Sequence, residues 1–566
     1  MATDTLSAEA STAEASTTEG AARASWLPLI VIVLAQVQMS FNINALPVSI
    51  GPIVDDLNTP ATSVATALVI YSLFVAGLVM FGAKVGRLFG ERLVFQAGVI
   101  VHAVAMGMMV FSTDAGRMHN AQAVAGLAAA ALVPTLVVLI AANYQGRQLA
   151  QALGVLAGSA AVAGALAFFI AGFLGAMVSW RASFGILIFL AAAVIILSFR
   201  LKHIPRQRDV KIDFTGAALA AAAIALISFG FNNLNAWGLL LARPAAPFRL
   251  LGLSPAPFMI VAGIVIGQSF FTWSHKRVAE KKTPLLALEV LDTPYERAAL
   301  YALLVIGALG PAVNFLIPLY IQIIQDRSSL FTAVAVVPYT LAIAAAAIFI
   351  VRLYDRLSPR QIGVVGFIMV AIGLGFLAFT IRNDWGTLVV ILGLVLTGLG
   401  EGALLTLMFN VLVASSPMEL AGDVGALRGV ANNLSTALGT AFASVVAVGL
   451  LSVFVTTGLN QSTIPDSLKT QINLDNVNFV SNTHLEDVLE QTTATPEQVD
   501  EAVLINEGAR LRALKAGFVI LAGIALLAIF PASALPRRIP GDASEVVAPD
   551  HPSHPEPDEV KATSAA

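Results

Sequence analysis

Gly82-Ala-Lys84-Val-Gly86-Arg87-Leu-Phe-Gly90-Glu91-Arg92-Leu-Val-Phe95 is the stretch on which the fold turns. Apolar runs flank it, at about 63 to 85 and 93 to 112. Each matches the roughly 20 residues that a helix needs to cross a hydrocarbon layer of about 30 Å. The stretch itself alternates glycine with charge. Glycines at 82, 86 and 90 let two helices and their turn approach closely, while Lys84, Arg87 and Arg92 hold the turn at the lipid headgroups. It therefore reads as a tight turn joining two membrane-crossing helices.

Runs of the same kind recur in both directions. Spans read at about 26 to 50, 63 to 85, 93 to 112, 119 to 143, 149 to 176 and 182 to 200. Two more follow at about 214 to 234 and 254 to 274, then six at about 298 to 324, 329 to 351, 362 to 381, 386 to 411, 425 to 455 and 512 to 534. Lipid offers no partner to backbone N–H and C=O groups, so each span is read as a helix. The expected fold class is an all-α integral membrane protein of fourteen transmembrane helices arranged six, two, six. Residues 26–200 would form an N-terminal six-helix bundle and 298–534 a C-terminal one that includes an external acidic loop, 456–509. An inserted pair, 214–274, lies between cytoplasmic linkers 201–213 and 275–297. Residues 1–25 and 535–566 are too polar to bury a core and read as disordered cytoplasmic tails.

Composition excludes several classes of function. Of 566 residues, 57% are hydrophobic and only 12% charged, about half the share of an ordinary soluble chain. The net charge of -3 leaves no basic surplus for a nucleic-acid partner. With no cysteine there is no disulfide, thiol nucleophile or cysteine-held metal. Neither a His-Glu-x-x-His metal motif nor a Gly-x4-Gly-Lys-Ser/Thr phosphate loop occurs, so no enzyme, cofactor, metal or ATP-driven pump is expected. The expected partners are the lipid bilayer and a small-molecule or lipid substrate; the oligomeric state is not written in the sequence.

Charge also orients the chain. An even number of crossings puts both termini on one side, and 22 of the 32 Lys and Arg residues fall on that side. Arg200, Lys202, Arg206, Arg208 and Lys211 crowd the first linker, and Lys276, Arg277, Lys281, Lys282 and Arg297 the second. Both termini are expected in the cytoplasm of a cell that carries the protein in its plasma membrane. The turn from Gly51 to Thr62 has Asp55 and Asp56 but no base, as an external turn should. In the external loop Asp466, Asp475, Glu486, Asp487, Glu490, Glu497, Asp500, Glu501 and Glu507 face a single Lys469. Pro496 opens an amphipathic helix there, leading into the last span, and a structured linker is the reading preferred over a substrate-capturing cap.

The quoted turn resembles the signature turn of the major facilitator superfamily, Gly-x-Arg-x-Gly-Asp-Arg-x-Gly-Arg-Arg, and aligns to it without a gap. Asn44-Ala-Leu-Pro47, with Tyr71, is similar to the fourteen-helix multidrug efflux (drug/proton antiporter) branch of that superfamily. So are the small residues from Gly126 to Pro134, Ser179-Trp180-Arg181, Lys211-Ile-Asp213-Phe-Thr-Gly216 and Lys282-Thr-Pro284-Leu-Leu. Arg352-Leu-Tyr-Asp355-Arg356-Leu-Ser-Pro359-Arg360 stands where a second copy of the turn belongs, between spans 10 and 11. The resemblance covers about 26 to 534 and implies two related halves that rock about a central site to give alternating access. It makes Gly82, Gly86, Arg87, Gly90, Glu91 and Arg92 a cytoplasmic gating turn, with Asp355, Arg356 and Arg360 as its counterpart.

Several residues that the efflux branch would use for proton coupling are replaced here. Gln38 stands at the acidic position nine residues before Pro47, and Gln122 at the Arg position twelve before Pro134. Arg87 replaces the Asp of the turn, Leu88 a base, and Glu91 another base; span 5 lacks its Gly-Pro pair. An amide cannot titrate, so Gln38 and Gln122 bind without carrying a proton. Arg87 and Glu91, four apart, offer an inverted ion pair, against which stands a simple solvated turn, the preferred reading. One acid remains inside a span: Glu401, in Thr397-Gly-Leu-Gly-Glu401-Gly-Ala, where an insertion cost of at least ~2.5 kcal/mol demands a partner or a purpose. It is the proton-coupling candidate, with a cation-binding group or a neutral hydrogen-bonded acid as alternatives.

Gln38, Asn42, Gln122, Asn314 and Asn410 are the candidates for substrate binding or for lining the cavity; Gln36 and Asn44 share the first span with the first two. Interhelical hydrogen bonding is the commoner role for such amides. His102 reads as a packing histidine, and Asp423 and Arg428 as an ion pair or headgroup contact. The function expected is a secondary active transporter, exporting an amphipathic or lipophilic small molecule by alternating access in the manner of multidrug efflux. A lipid transporter of the same fold, or a scaffold or sensor that has lost its coupling residues, is the alternative.

Overall fold

Apolar sequence of bilayer length, punctuated by capping residues, fixes the elements. In a computed structural model of the chain, fourteen helices among the described residues are long and apolar enough to cross a membrane. Residues 25–144, 146–206, 212–354, 356–382, 388–415, 421–465, 479, 482–490 and 494–537 are described. Asp355, Arg208, Lys211, Asp466, Lys469, Asp475, the side chain of Asp423 and most of both tails lie outside them.

The helices are α1 (Leu27–Val48), α2 (Ala61–Phe89), α3 (Glu91–Val110), α4 (Ala115–Asn143), α5 (Gly146–Met177), α6 (Trp180–Ser198) and α7 (Phe214–Asn232). There follow α8 (Pro255–Ala279), α9 (Pro294–Leu319), α10 (Ser329–Phe349), α11 (Pro359–Thr380), α12 (Leu388–Ser415), α13 (Ala421–Asn460) and α14 (Pro496–Leu527). Side-chain caps on backbone N–H groups start many of them: Asp114 for α4, Ser179 for α6, Asp213 for α7, Ser254 for α8 and Ser328 for α10. Capping boxes open α9, with Thr293 and Glu296, and α11, with Ser358 and Gln361. Gly90 ends α2 and begins α3 at φ +99°, a conformation that a residue with a Cβ rarely adopts.

Helix packing repeats. In the first half α1 packs on α4, α5 and α6, α2 on α4, and α3 on α4 and α6. In the second half α9 packs on α12, α13 and α14, α10 on α12, and α11 on α12 and α14, the same pattern eight helices later. The two bundles meet along α2 with α13 and α5 with α10. Close glycine contacts mark equivalent places: a Cβ on Gly126 of α4 would lie 2.5 Å from the Tyr71 carbonyl of α2, and one on Gly398 of α12 would lie 2.6 Å from that of Tyr339 on α10. The inserted pair stands outside this repeat. Its α7 packs on α8, α2 and α13, while α8 is the least buried span.

Gly82 of the quoted turn faces α4 so closely that a Cβ would overlap the Ala130 carbonyl, whereas Gly107 of α3 has open space. Gly82→Ala is expected to cost about 1–3 kcal/mol, as overpacking does. A lowered thermal midpoint of the detergent-solubilised protein, with Gly107→Ala unaffected, checks this.

Three local features differ from the sequence reading. The first span is interrupted at Ser49, and much of the expected turn from Gly51 to Thr62 is a short helix, Ile50–Leu57. At Ser49 the backbone leaves helical geometry, and the Gly51 N–H bonds a side chain in place of the Pro47 carbonyl four residues back. α9 runs on into a π-helical turn, Tyr320–Ile324. The last span begins not near 512 but at Pro496, because the amphipathic segment and the span form one continuous helix.

Candidate functional site

The N-terminal bundle holds two buried polar pairs, one turn apart on α1. Gln38 of α1 hydrogen-bonds through Nε2 to His102 Nδ1 of α3 at 2.9 Å. One turn further along α1, Asn42 and Gln122 of α4 exchange two amide bonds: Asn42 Nδ2 donates to Gln122 Oε1 at 2.9 Å, and Gln122 Nε2 donates to Asn42 Oδ1 at 3.1 Å. All four side chains are buried. Gln38 Oε1 and His102 Nε2 have no protein partner. An unpaired acceptor and a second ring nitrogen in so dry a place leave hydrogen-bonding capacity unspent.

The C-terminal bundle holds Glu401. Its carboxylate accepts a hydrogen bond from the Tyr339 hydroxyl of α10 and lies against α9 so closely that a Cβ on Gly310 would overlap it. Gly398 and Gly402, flanking Glu401, pack on the α10 backbone at Tyr339 and Ile343. The acid therefore sits on the seam of α9, α10 and α12. A carboxylate there has one good donor and a restricted space, so any change in the seam changes its partners.

The structure places the other candidates differently. Asn314 is half-buried on α9. Asn410 donates to the Tyr354 hydroxyl at 3.0 Å and so ties α12 to the segment after α10, toward the face that carries the termini; burial pushes the Tyr354 hydroxyl up, and it stays protonated. Asn44 bonds back to the Ser40 carbonyl of its own helix at 2.7 Å. Arg428 stacks 3.9 Å over the Phe409 ring centroid.

In the turn, the charges of Arg87 and Glu91 act on each other but make no direct ion pair, and the solvated turn preferred from the sequence holds for Arg87 and fails for Glu91. Arg87 is exposed, while Glu91 is buried against Gly86 at the first position of α3, where the helix dipole favours a negative group. Arg92 instead caps the end of α6, donating to the Phe199 and Leu201 carbonyls at 2.9 and 3.1 Å. The turn thus clamps α3 to α6 on the face of the termini. In the second-half turn, Arg356 and Arg360 are exposed.

Several polar clusters carry no signal in spacing because their members are far apart in sequence. On the face opposite the termini, Asp56 accepts from Trp180 Nε1 at 2.9 Å and pairs with Arg181, which also donates to the Ser112 carbonyl at 2.8 Å. Asp213 joins α7 to α8 through Trp273 Nε1 at 3.1 Å and Arg277 Nε at 3.4 Å. Gln322, in the π turn after α9, reaches across to the break in α1. Apolar clefts lie between helices on the flanks of the described residues. One of about 430 Å³ between α2, α3 and α4 is lined by Phe81, Val85, Phe89, Leu93 and Leu127. Another, of about 250 Å³, lies between α7, α9, α13 and α14.

Two six-helix bundles related by a repeat, with polar groups buried at the heart of each, define a membrane solute transporter by class. The profile of the Major Facilitator Superfamily matches residues 32–440, and the chain belongs to that superfamily. It is 26% identical over 428 residues to the tetracenomycin C resistance and export protein of Streptomyces glaucescens, covering 74% of this chain and 76% of that one. To the multidrug efflux pump LfrA of Mycolicibacterium smegmatis it is 25% identical over 432 residues, covering 75% and 81%. Among solved structures, a bacterial homolog of the human lysosomal transporter Spinster, inward-facing and occupied, superposes with TM-score 0.57 at 13% identity, over 89% of this chain and 95% of that one. That likeness is one of fold.

Proposed function

We propose that this protein exports an amphipathic or lipophilic small molecule across the plasma membrane in exchange for protons, with both termini in the cytoplasm and Glu401 as the proton carrier. The observation that carries the coupling is the position of Glu401: the one acid well inside a span, on a three-helix seam, bonded to Tyr339. An intramembrane acid at such a cost is a functional group by default. Efflux as the direction, and a drug-like cargo, are supported by the likeness to the tetracenomycin C and LfrA exporters. An apolar cleft of about 430 Å³, within the usual volume of a ligand pocket, suits a lipophilic cargo. The Gln38–His102 and Asn42–Gln122 pairs are assigned the orienting of polar groups on that cargo.

Flux in reconstituted vesicles tests this, with pH, voltage and sodium gradients imposed one at a time. A pH gradient alone should drive accumulation of a lipophilic drug. Flux of labelled phospholipid in place of drug would favour the lipid-transporting alternative, and no flux under any gradient would favour a scaffold.

A further inference from the structure

We infer that Gln322 is a latch that closes the face opposite the termini by inserting its amide into the break in α1. The inference rests on the transporter reading above and adds the residue that holds one of its two states. Gln322 Oε1 accepts from the Gly51 N–H at 2.8 Å, and its Nε2 donates to the Pro47 carbonyl at 3.3 Å. In an unbroken helix these two backbone groups, four residues apart, would bond to each other. The side chain of one bundle thus occupies a rung of a helix in the other. Side-chain insertion of this kind is a recognised cause of a helix kink.

The surroundings fit a two-state element. Gly51 lets the amide approach: a Cβ there would lie 3.1 Å from Gln322 Oε1. Gln322 sits in the π-helical turn Tyr320–Ile324, a geometry that is rare and concentrated at functional positions. The short helix Ile50–Leu57 also packs on α9, on the π turn and on α10, so the whole contact joins the first helix of one half to the first two of the other. When the bundles rock apart at this face, Gln322 must withdraw. Gly51 N–H and Pro47 C=O are then free to bond to each other, and the helical rung across Ser49 is restored. The two states exchange one set of hydrogen bonds for another, so the latch can open without stranding buried polar groups.

The chain has no cysteine, so spin labels can be placed at will. One pair, at Thr113 and Arg327, spans the two bundles at the latched face; a second, at Lys202 and Arg356, spans them at the face of the termini. Distances are measured by pulsed electron paramagnetic resonance in vesicles, without substrate. For Gln322→Met, which keeps length and loses both hydrogen bonds, the long-distance population at the latched face should grow about five-fold or more while the other face contracts. Gly51→Ala, which crowds the amide, should move both pairs the same way. Unchanged distances in Gln322→Met overturn the latch, as does a broadening of both pairs without reciprocity, which would mark a residue needed only for folding. Failure of the transporter reading would show instead in the flux measurement, which this experiment does not use.

Discussion

Replacing Glu401 by Gln is expected to abolish accumulation of substrate against a pH gradient while leaving the protein folded. The substitution conserves shape and hydrogen bonding but removes the one group in the C-terminal seam that can gain and lose a proton there. If one proton is exchanged per neutral substrate molecule, each pH unit sustains about a ten-fold concentration ratio, since a factor of ten corresponds to about 1.4 kcal/mol. In vesicles holding a two-unit gradient the wild-type protein should approach a ratio of about 100, and Glu401→Gln should stay at one. Exchange of substrate at equal concentration and equal pH on both sides should survive, because it needs no net proton movement. Tyr339→Phe tests the partner: it removes the donor seen on Glu401 Oε2 without removing the acid, so the rate should fall while the final ratio persists. Accumulation by Glu401→Gln equal to wild type would place the coupling elsewhere.

The spans were legible because the bilayer imposes a composition that no soluble segment shares, and the tight turn because glycines and bases at 82 to 92 have few other uses in such company. Glu401 was legible for the same reason: an acid in an apolar run stands out against its own neighbours. Its partner was not. Tyr339 lies 62 residues away and reads as one more aromatic in a span. Likewise Gln38 and His102 are 64 apart, and Asn42 and Gln122 are 80 apart, so their types announce hydrogen bonding but not with whom. At Arg87 and Glu91 the expected solvated turn holds for the first residue and not for the second. Their spacing suits a pair on one continuous helix, but Gly90 ends that helix between them, which sends one side chain to the surface and the other into the packing against Gly86. Gln322 had a trace in the sequence, an amide four residues after Pro318 in an otherwise apolar run, but its reach across to Pro47 is a property of the assembled halves.

Replacing Arg510 by Met is expected to remove about 3 kcal/mol of stability and to release the acidic insertion from the bundle. Arg510 is fully buried, two residues before the point where the sequence reading started the last span. Its guanidinium donates to the Ile323 carbonyl in the π turn at 3.2 Å and to Asn482, which begins the insertion's helix, Asn482–Glu490. Asn482 in turn donates to Glu507 at 3.1 Å, and the Thr463 N–H, at the start of the loop, donates to Glu501 at 3.0 Å. The first turns of α14 are thus a post to which the start and the middle of the acidic segment are tied, and Arg510 joins that post to the turn carrying Gln322. Hydrogen bonds to a charged group are worth about 1.5–3 kcal/mol each, more than a methionine of similar length recovers by packing. Two measurements read the result: the thermal midpoint of the purified protein should drop, and limited proteolysis should cut the segment after Asn460 at protease levels that leave the wild type whole. Because Ile323 neighbours Gln322, Arg510→Met should also loosen the latched face in the spin-label experiment, by less than Gln322→Met does. A variant that melts and is cleaved like the wild type would show that the acidic segment is held by its own helix packing, with Arg510 a passenger in the seam.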